Sequence, residues 1–185
     1  MAGFIVGFDS DPEEIFDKQV EFIQESAIPM AMVGLLSALP NTQLYRRLQK
    51  EGRLLETPSG DNMDLSLNFI PKMNPQRLVE GYRSILQRIY HPDAYYERVR
   101  RFLAETPHAI HRNPRAFSDY AALLRSIVKQ GLLGDCRLSY WKFFLEAATR
   151  YRHAFDRAMT LAIMGHHFYI LTRILSEADT EESFA

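Results

Sequence analysis

The stretch AGFIVGF, residues 2–8, is an unbroken apolar run near the start of the 185-residue chain. A strand with one face in water alternates apolar and polar side chains. A continuous apolar run is instead typical of a strand covered on both faces, as in parallel α/β sheets. No earlier strand precedes it in the sequence. The strand that pairs with it is therefore expected either later in this chain or in a part of the protein before it.

A helix is predicted directly after this strand. Asp11 is the expected N-cap, Pro12 the first helical residue, and Glu14 lies three positions after the cap, as in a capping box. The helix should end near Ser26, ahead of a proline. Its expected buried face carries Phe16, Val20 and Ile23.

A second apolar run, MAMVGLL from Met30 to Leu36, completes a strand–helix–strand pattern. Parallel strands joined through a helix form a βαβ unit. We then expect a short helix capped by Asn41 and closed by Gly52. Its apolar residues are Leu44, Tyr45 and Leu48.

The apolar spacing becomes helical from Asn74 onward and stays so. Asn74-Pro75 is predicted to start the first helix, and His91-Pro92 to end it and start the second. Pro107 is predicted to end the second helix. Asn113-Pro114 is predicted to start the third, which stops at Gly131. Residues 138–175 contain no proline. They predict either two helices with a break near Arg152 or one bent helix.

The expected fold class is therefore an α/β remnant, one βαβ unit of a partial TIM-like barrel, followed by an all-α helical domain, and mostly helical overall. The expected limits are 1–55 for the βαβ part, 56–73 for a linker and 74–185 for the helical domain. One βαβ unit leaves unpaired strand edges and an uncovered sheet face. Either the helices cover it or further strands precede it, and the abrupt start favours the second alternative.

Composition excludes several classes of protein. Apolar residues make up 46% of the chain and the net charge is −1, so no overall field favours nucleic acid or an anionic surface. A single cysteine, Cys136, excludes an internal disulfide and any cluster held by several thiolates of this chain. No apolar stretch is long enough for a membrane span or arranged as a secretory signal, which favours a cytoplasmic location.

Histidines and basic residues give weak signals. Adjacent His166 and His167 point about 100° apart on a helix, so they do not favour one metal ion. The other candidates, His108, His111 and His153, are interpreted as packing or surface residues. The basic run Arg98, Arg100 and Arg101 is interpreted as a solvated helix face paired with Glu97 and Glu105, not as a nucleic-acid site. Cys136 has no evident histidine partner, so no catalytic residue is assigned.

Three longer segments resemble one enzyme family. GFIVGFDSDPEEIFDKQVEFIQE (residues 3–25) and MVGLLSALPNTQLYRRLQKEGRL (residues 32–54) resemble the last two βα units of radical S-adenosylmethionine (SAM) enzymes. The closest subgroup carries an N-terminal cobalamin-binding domain. NFIPKMNPQRLVEGYRSILQRIYHPDAYYERVRRFL (residues 68–103) and the helices after it resemble the helical C-terminal domain of unknown function appended to that subgroup.

The resemblance implies a partial barrel of parallel strands, a 4Fe–4S cluster held by three cysteines, SAM, and cobalamin in this subgroup. A G-x-I-x-G-x-x-E pattern beside the SAM adenine is matched by Gly3, Ile5 and Gly7. Ser10 holds the acidic position, between two aspartates. The end of the next strand implies further cofactor contacts at Leu36, Ser37, Ala38 and Leu39.

The chain has neither the cysteine triad nor the first strands that the resemblance implies. We therefore expect a C-terminal fragment of a radical SAM enzyme that cleaves SAM reductively and modifies an unknown substrate by radical chemistry. Alone, it should be inactive and bind neither SAM nor the cluster. The expected partners are the remainder of the barrel and a small-molecule or lipid-like substrate. The alternative is a non-catalytic helical module that binds a partner.

Overall fold

The structure, a computed structural model, describes residues 1–55, 67–106 and 117–182. It confirms a βαβ unit followed by helices, with a mostly helical chain. The elements are β1 (Ala2–Val6), α1 (Ile15–Glu25), β2 (Ala31–Leu35), α2 (Gln43–Lys50), α3 (Pro75–Tyr90), α4 (Pro92–Glu105), α5 (Phe117–Ser126), a π-helical segment (Ile127–Leu132), α6 (Arg137–Thr149), a 3₁₀ turn (Arg152–Ala154) and α7 (Phe155–Glu182).

The chain forms two compact units. Unit 1 comprises Met1–Phe22 and Ala31–Leu86, and unit 2 comprises Ile23–Met30 and Gln87–Ala185. The domain limits expected from the sequence stay a prediction, and most of the expected linker, residues 56–66, lies outside the described residues.

Strands β1 and β2 of unit 1 pair in parallel, with Ala2 opposite Ala31 and Val6 opposite Leu35. The strand β1 ends at Val6, two residues earlier than predicted, because Gly7 turns the chain with a φ of 108°. A left-handed residue of this kind cannot continue a strand.

Helix α1 begins at Ile15, so the prediction of Asp11 as its N-cap is wrong. The Asp11 carboxylate instead accepts hydrogen bonds from the backbone N–H groups of Gly7 at 2.9 Å and Phe8 at 3.0 Å. The turn at the strand end frees these two donors close to the carboxylate. The predicted face of α1, Phe16, Val20 and Ile23, is buried.

Helix α2 is capped by Thr42, whose hydroxyl accepts a backbone N–H of the first turn at 3.2 Å. The prediction of Asn41 as the cap is wrong, because Asn41 makes a left-handed turn with a φ of 68° just before it. Gly52 closes the helix as predicted, with a φ of 66°. Beyond it, the Arg53 N–H donates to the Leu48 carbonyl at 2.9 Å, as in a Schellman motif.

Helix α3 begins as predicted, with the Asn74 side chain accepting a hydrogen bond from the Arg77 N–H at 3.1 Å. Its first turns belong to unit 1, where Leu78 is fully buried. Gly81 lies against the ring of Phe16, and a β-carbon there would approach that ring to 2.4 Å. This glycine therefore permits the contact between α3 and α1.

Helices α4, α6 and α7 build the core of unit 2 around aromatic side chains. The Tyr95 hydroxyl donates to the Leu161 carbonyl at 2.7 Å, and its ring occupies the space that Gly165 leaves free. Tyr96 stacks on Phe143 with ring centroids 4.6 Å apart. The stacked rings exclude water from the centre of the helical unit.

The helix predicted to stop at Gly131 continues as a π-helical segment to Leu132, so that limit is wrong. The Trp141 indole donates to the Gly131 carbonyl at 2.9 Å, which satisfies a group that the wider helix leaves free. The break near Arg152 is confirmed by the 3₁₀ turn between α6 and α7. The predicted start at Asn113-Pro114, with His108 and His111, lies outside the described residues.

Arg98 corrects the interpretation of the basic run as wholly solvated, because its side chain is only 1% exposed. Its guanidinium donates to the carbonyl of Ile89 at 2.9 Å and to the side chain of Gln24. Burial lowers the pKa of Arg98. Arg101 is exposed and pairs with Glu97, four residues earlier, as predicted. Helical spacing alone does not show which basic residue of a run faces the core.

Candidate cofactor face of the parallel sheet

One face of the two-stranded sheet is open. Gly3 and Ile5 of β1 lie on it, in register with Met32 and Gly34 of β2. Ile5 is 50% and Met32 is 44% exposed, and a β-carbon added at either glycine would meet no atom within 4 Å. Among the described residues, this face therefore presents bare backbone at two diagonal positions, with an apolar side chain beside each.

The opposite face of the sheet is covered. Val6, Ala31 and Val33 point to this side and are buried. The expectation of a strand covered on both faces is thus met on one face only within the described part of the chain. Within the described residues, only the side of Gly3 and Gly34 is therefore open to a ligand.

Gly7, at the end of β1, is required by the fold of unit 1 itself. Its φ of 108° is strained for any residue with a β-carbon, and such a carbon would lie 3.1 Å from Leu78 Cδ2 and 3.5 Å from Leu36 Cβ. The structure thus brings Gly7 and Leu36 together. A cofactor contact at either residue stays a prediction.

The acidic residues around Ser10 are occupied within the chain. Arg53 donates to both carboxylate oxygens of Asp9, at 2.7 Å and 3.0 Å, and Arg47 donates to one of them at 2.9 Å. The hydrogen bond from Arg53 is the main cause that lowers the pKa of Asp9 and raises that of Arg53. Asp11 binds the strand-end amides described above. Ser10 itself is exposed, and its role beside the cofactor stays a prediction.

The segment after β2 is held by Asn68, which the sequence analysis did not single out. Its side-chain oxygen accepts the Ala38 N–H at 2.9 Å, and its side-chain nitrogen donates to the Ala38 carbonyl at 2.9 Å. The Ser37 hydroxyl donates to the same oxygen at 3.4 Å. Ala38 is buried and Leu39 is exposed. The sequence feature that could have indicated this role is a lone asparagine in the run LSLNFIP, because a buried amide needs hydrogen-bond partners.

Comparison with known proteins places the chain in a family. A model described as a domain of unknown function, DUF4070, matches residues 42–181. The chain belongs to the DUF4070 family. Its match covers the helices of unit 2 together with α2 and α3. No solved structure matches this DUF4070 chain.

Curated relatives of the DUF4070 chain are named as methylases. It is 32% identical over 187 residues to an uncharacterized methyltransferase of Synechocystis sp., covering 98% of the chain and 35% of the relative. It is 30% identical over 191 residues to a hopanoid C-2 methylase of Rhodopseudomonas palustris, covering 99% and 35%. A bacteriochlorophyllide d C-12(1)-methyltransferase of Chlorobaculum tepidum is 26% identical over 97 residues, covering 52% and 21%.

The DUF4070 match and these methylases confirm the resemblance to the C-terminal portion of radical SAM enzymes of the cobalamin-binding subgroup. The chain spans about a third of the length of the first two relatives.

The described part of the DUF4070 chain does not group metal-ligating side chains together. In the described part, no three His, Cys, Asp or Glu side chains are grouped so that they could hold a metal ion. Its one cysteine does not supply the three thiolates that the resemblance implies for the cluster. His166 is half-buried, and burial, ahead of Lys129 and His167, lowers its pKa. None of the described helices combines the length and apolar character needed to cross a bilayer.

Proposed function

We propose that this DUF4070 chain supplies the last two strands of a radical SAM barrel in a methylase, and that the open face of its sheet lies beside the adenine of SAM. The observation that carries the proposal is the bare backbone at Gly3 and Gly34 on that face. Glycines in a strand permit the close approach of a flat ligand. The exposed side chains of Ile5 and Met32 give the ligand apolar contacts.

The proposal extends to the residues at the ends of both strands. Gly7 and Ser10 after β1, and Leu36 to Leu39 after β2, follow the carboxyl ends of parallel strands, where barrel enzymes bind their ligands. The Asp9–Arg53 pair and the Asn68 amide keep these two segments in place. In this function the chain's residues bind and orient, and SAM, when bound, supplies the chemistry.

The cluster ligands, the remaining barrel strands and the cobalamin-binding domain come, in this proposal, from the rest of a longer protein. The fraction of the relatives that the chain spans, about a third, supports this division. The substrate is proposed to be a small or lipid-like molecule, in keeping with the hopanoid and the bacteriochlorophyllide in the names of two relatives. The chain alone is then inactive and cytoplasmic.

The test uses a full-length protein that contains this segment, with its cluster reconstituted. Gly34→Val adds a side chain into open space, so we expect an unchanged melting temperature but SAM binding weakened by about tenfold or more, measured by calorimetry. Ala148→Val, at an exposed position of α6, is the matched control and should leave SAM binding unchanged. Equal SAM affinity in both variants would contradict the proposal and leave this sheet a purely structural part of the barrel wall.

A further inference from the structure

A row of exposed apolar side chains runs along one face of α5 and the π-helical segment. Tyr120, Leu124, Val128 and Leu132 follow each other at a spacing of four residues, which places them on one side of a helix. Leu133 follows the row, and Leu138 is the second residue of α6. We call these six residues the leucine stripe.

The leucine stripe is more exposed than apolar side chains of a folded domain usually are. Its members range from 38% exposed at Val128 to 81% exposed at Leu138. The π-helical segment and α6 pack against each other, and Trp141 donates to Gly131 between them. The part of the stripe from Val128 to Leu138 therefore lies on helices of unit 2 that pack against each other. A group of exposed apolar side chains of this kind is a candidate interaction site.

Positive charge flanks the leucine stripe. Arg125, Lys129, Arg137 and Lys142 are exposed. Within the described residues, none of these four forms an ion pair with a carboxylate. The sequence from Tyr120 to Gly134 contains no acidic residue. The first acid after it, Asp135, is paired with Arg173 at 2.8 Å. In the described part of the chain, Arg125 and Lys129 thus carry unpaired positive charge along the middle of the stripe, whereas Asp93 and Glu97 lie near Lys142 at its α6 end.

We propose that the leucine stripe docks on the surface of an anionic lipid bilayer. Protein-binding surfaces draw most of their affinity from Trp, Tyr and Arg, whereas Leu and Val are under-represented in their hot spots. The stripe is mostly aliphatic, with five aliphatic residues and one tyrosine. Aliphatic side chains with lysine and arginine beside them are typical of helices that lie in the plane of a membrane interface. The charge favours anionic over neutral lipid.

The test measures co-sedimentation of the 185-residue chain with vesicles. One set contains equal parts of phosphatidylcholine and phosphatidylglycerol, and the other contains phosphatidylcholine alone. We expect binding to the anionic set and at least about tenfold weaker binding to the neutral set, with salt lowering the first. Leu132→Gln should weaken binding to anionic vesicles by about tenfold, because the apolar contact is lost while helix propensity is kept.

Matched variants separate the stripe from general surface effects. Leu55→Gln replaces a similarly exposed leucine of unit 1 and should bind as the parent does. Arg125→Gln with Lys129→Gln should reduce binding to anionic vesicles, whereas Lys18→Gln with Lys50→Gln should not. Circular dichroism checks that every variant keeps its helices.

Two results would overturn the proposal. One is equal sedimentation of Leu132→Gln and Leu55→Gln with anionic vesicles. The other is an absence of binding to the anionic vesicles, and analytical ultracentrifugation then shows whether the chain self-associates and whether Leu132→Gln converts it to a monomer. Such a conversion would assign the stripe to contact with another copy of the chain.

Discussion

Arg53 binds Asp9 through two hydrogen bonds, of 2.7 Å and 3.0 Å, although the two residues lie 44 positions apart in the sequence. Arg53 also donates to the Ile70 carbonyl at 2.8 Å and to Glu51 at 2.9 Å. One guanidinium thus joins the loop after β1, the end of α2 and the segment before α3. This junction fixes the strand end where the proposed cofactor face begins.

Replacing Arg53 by Gln should destabilise the chain by about 2 kcal/mol at neutral pH, because a bidentate charged pair is lost. The check is urea unfolding monitored by circular dichroism. Arg101→Gln, which breaks an exposed pair with Glu97, is the control and should cost about 0.5 kcal/mol or less.

The contribution of Arg53 should also depend on pH. The pKa of Asp9 is lowered in the folded chain, chiefly by the hydrogen bond from Arg53. The stabilisation is therefore present above the pKa of Asp9 in the unfolded chain and is lost as the pH falls through its lower folded value. The difference in stability between the parent and Arg53→Gln should narrow at strongly acidic pH, where only the hydrogen bond to the Ile70 carbonyl remains, and a constant difference across the whole acid range would contradict this origin.

Gly7→Ala should destabilise the chain by about 2 kcal/mol, because the φ of 108° is strained for alanine and the new carbon would press on Leu78. Gly3→Ala, in open space, should change stability by about 0.5 kcal/mol or less. Thermal unfolding of both variants decides the point. Similar melting temperatures would show that the turn at Gly7 relaxes at little cost.

In a full-length relative, Gly7→Ala should also weaken SAM binding more than the surface change Lys50→Ala. Gly7→Ala also strains the fold, so its SAM affinity is compared with that of Gly34→Val, which changes the open face without that strain. Loss of affinity in Gly7→Ala alone would assign that residue a structural role only.

Asn68→Ala should cost about 2 kcal/mol or more, because the buried N–H and carbonyl of Ala38 both lose their partner. Gln49→Ala removes an exposed amide from α2 and should be nearly neutral. Hydrogen exchange at the Ala38 amide measures the loss of this hydrogen bond directly. Slow exchange retained in Asn68→Ala would show that the Asn68 side chain does not hold the Ala38 backbone in place.

Anaerobic reconstitution of the 185-residue chain with iron and sulfide should give no stoichiometric 4Fe–4S cluster, because one cysteine does not replace three. The measurement is iron content with the absorption spectrum of the desalted protein. Cys136→Ser is the control, and iron bound in equal amounts by both proteins would be adventitious. A stoichiometric cluster in the parent that is lost in Cys136→Ser would contradict the prediction.

The sequence by itself determined the order of elements and many of their limits. Asn74 caps α3, Gly52 closes α2, Pro92 begins α4, and the helix breaks near Arg152. Each of these features depends on contacts or steric limits within a few residues, which local sequence contains. The resemblance of the first 54 residues and of the helices to one enzyme family also needed no coordinates.

Only the tertiary structure decided which partner each polar side chain takes. Arg53 binds Asp9 from 44 positions away, Arg98 is buried, and Asn68 holds Ala38 from 30 positions away. Residues distant in the sequence determine these partners, because a hydrogen bond forms with whichever donor or acceptor the fold brings within about 3 Å. The open side of the sheet was decided in the same way, since a strand's sequence shows that it can be buried but not what lies against each face.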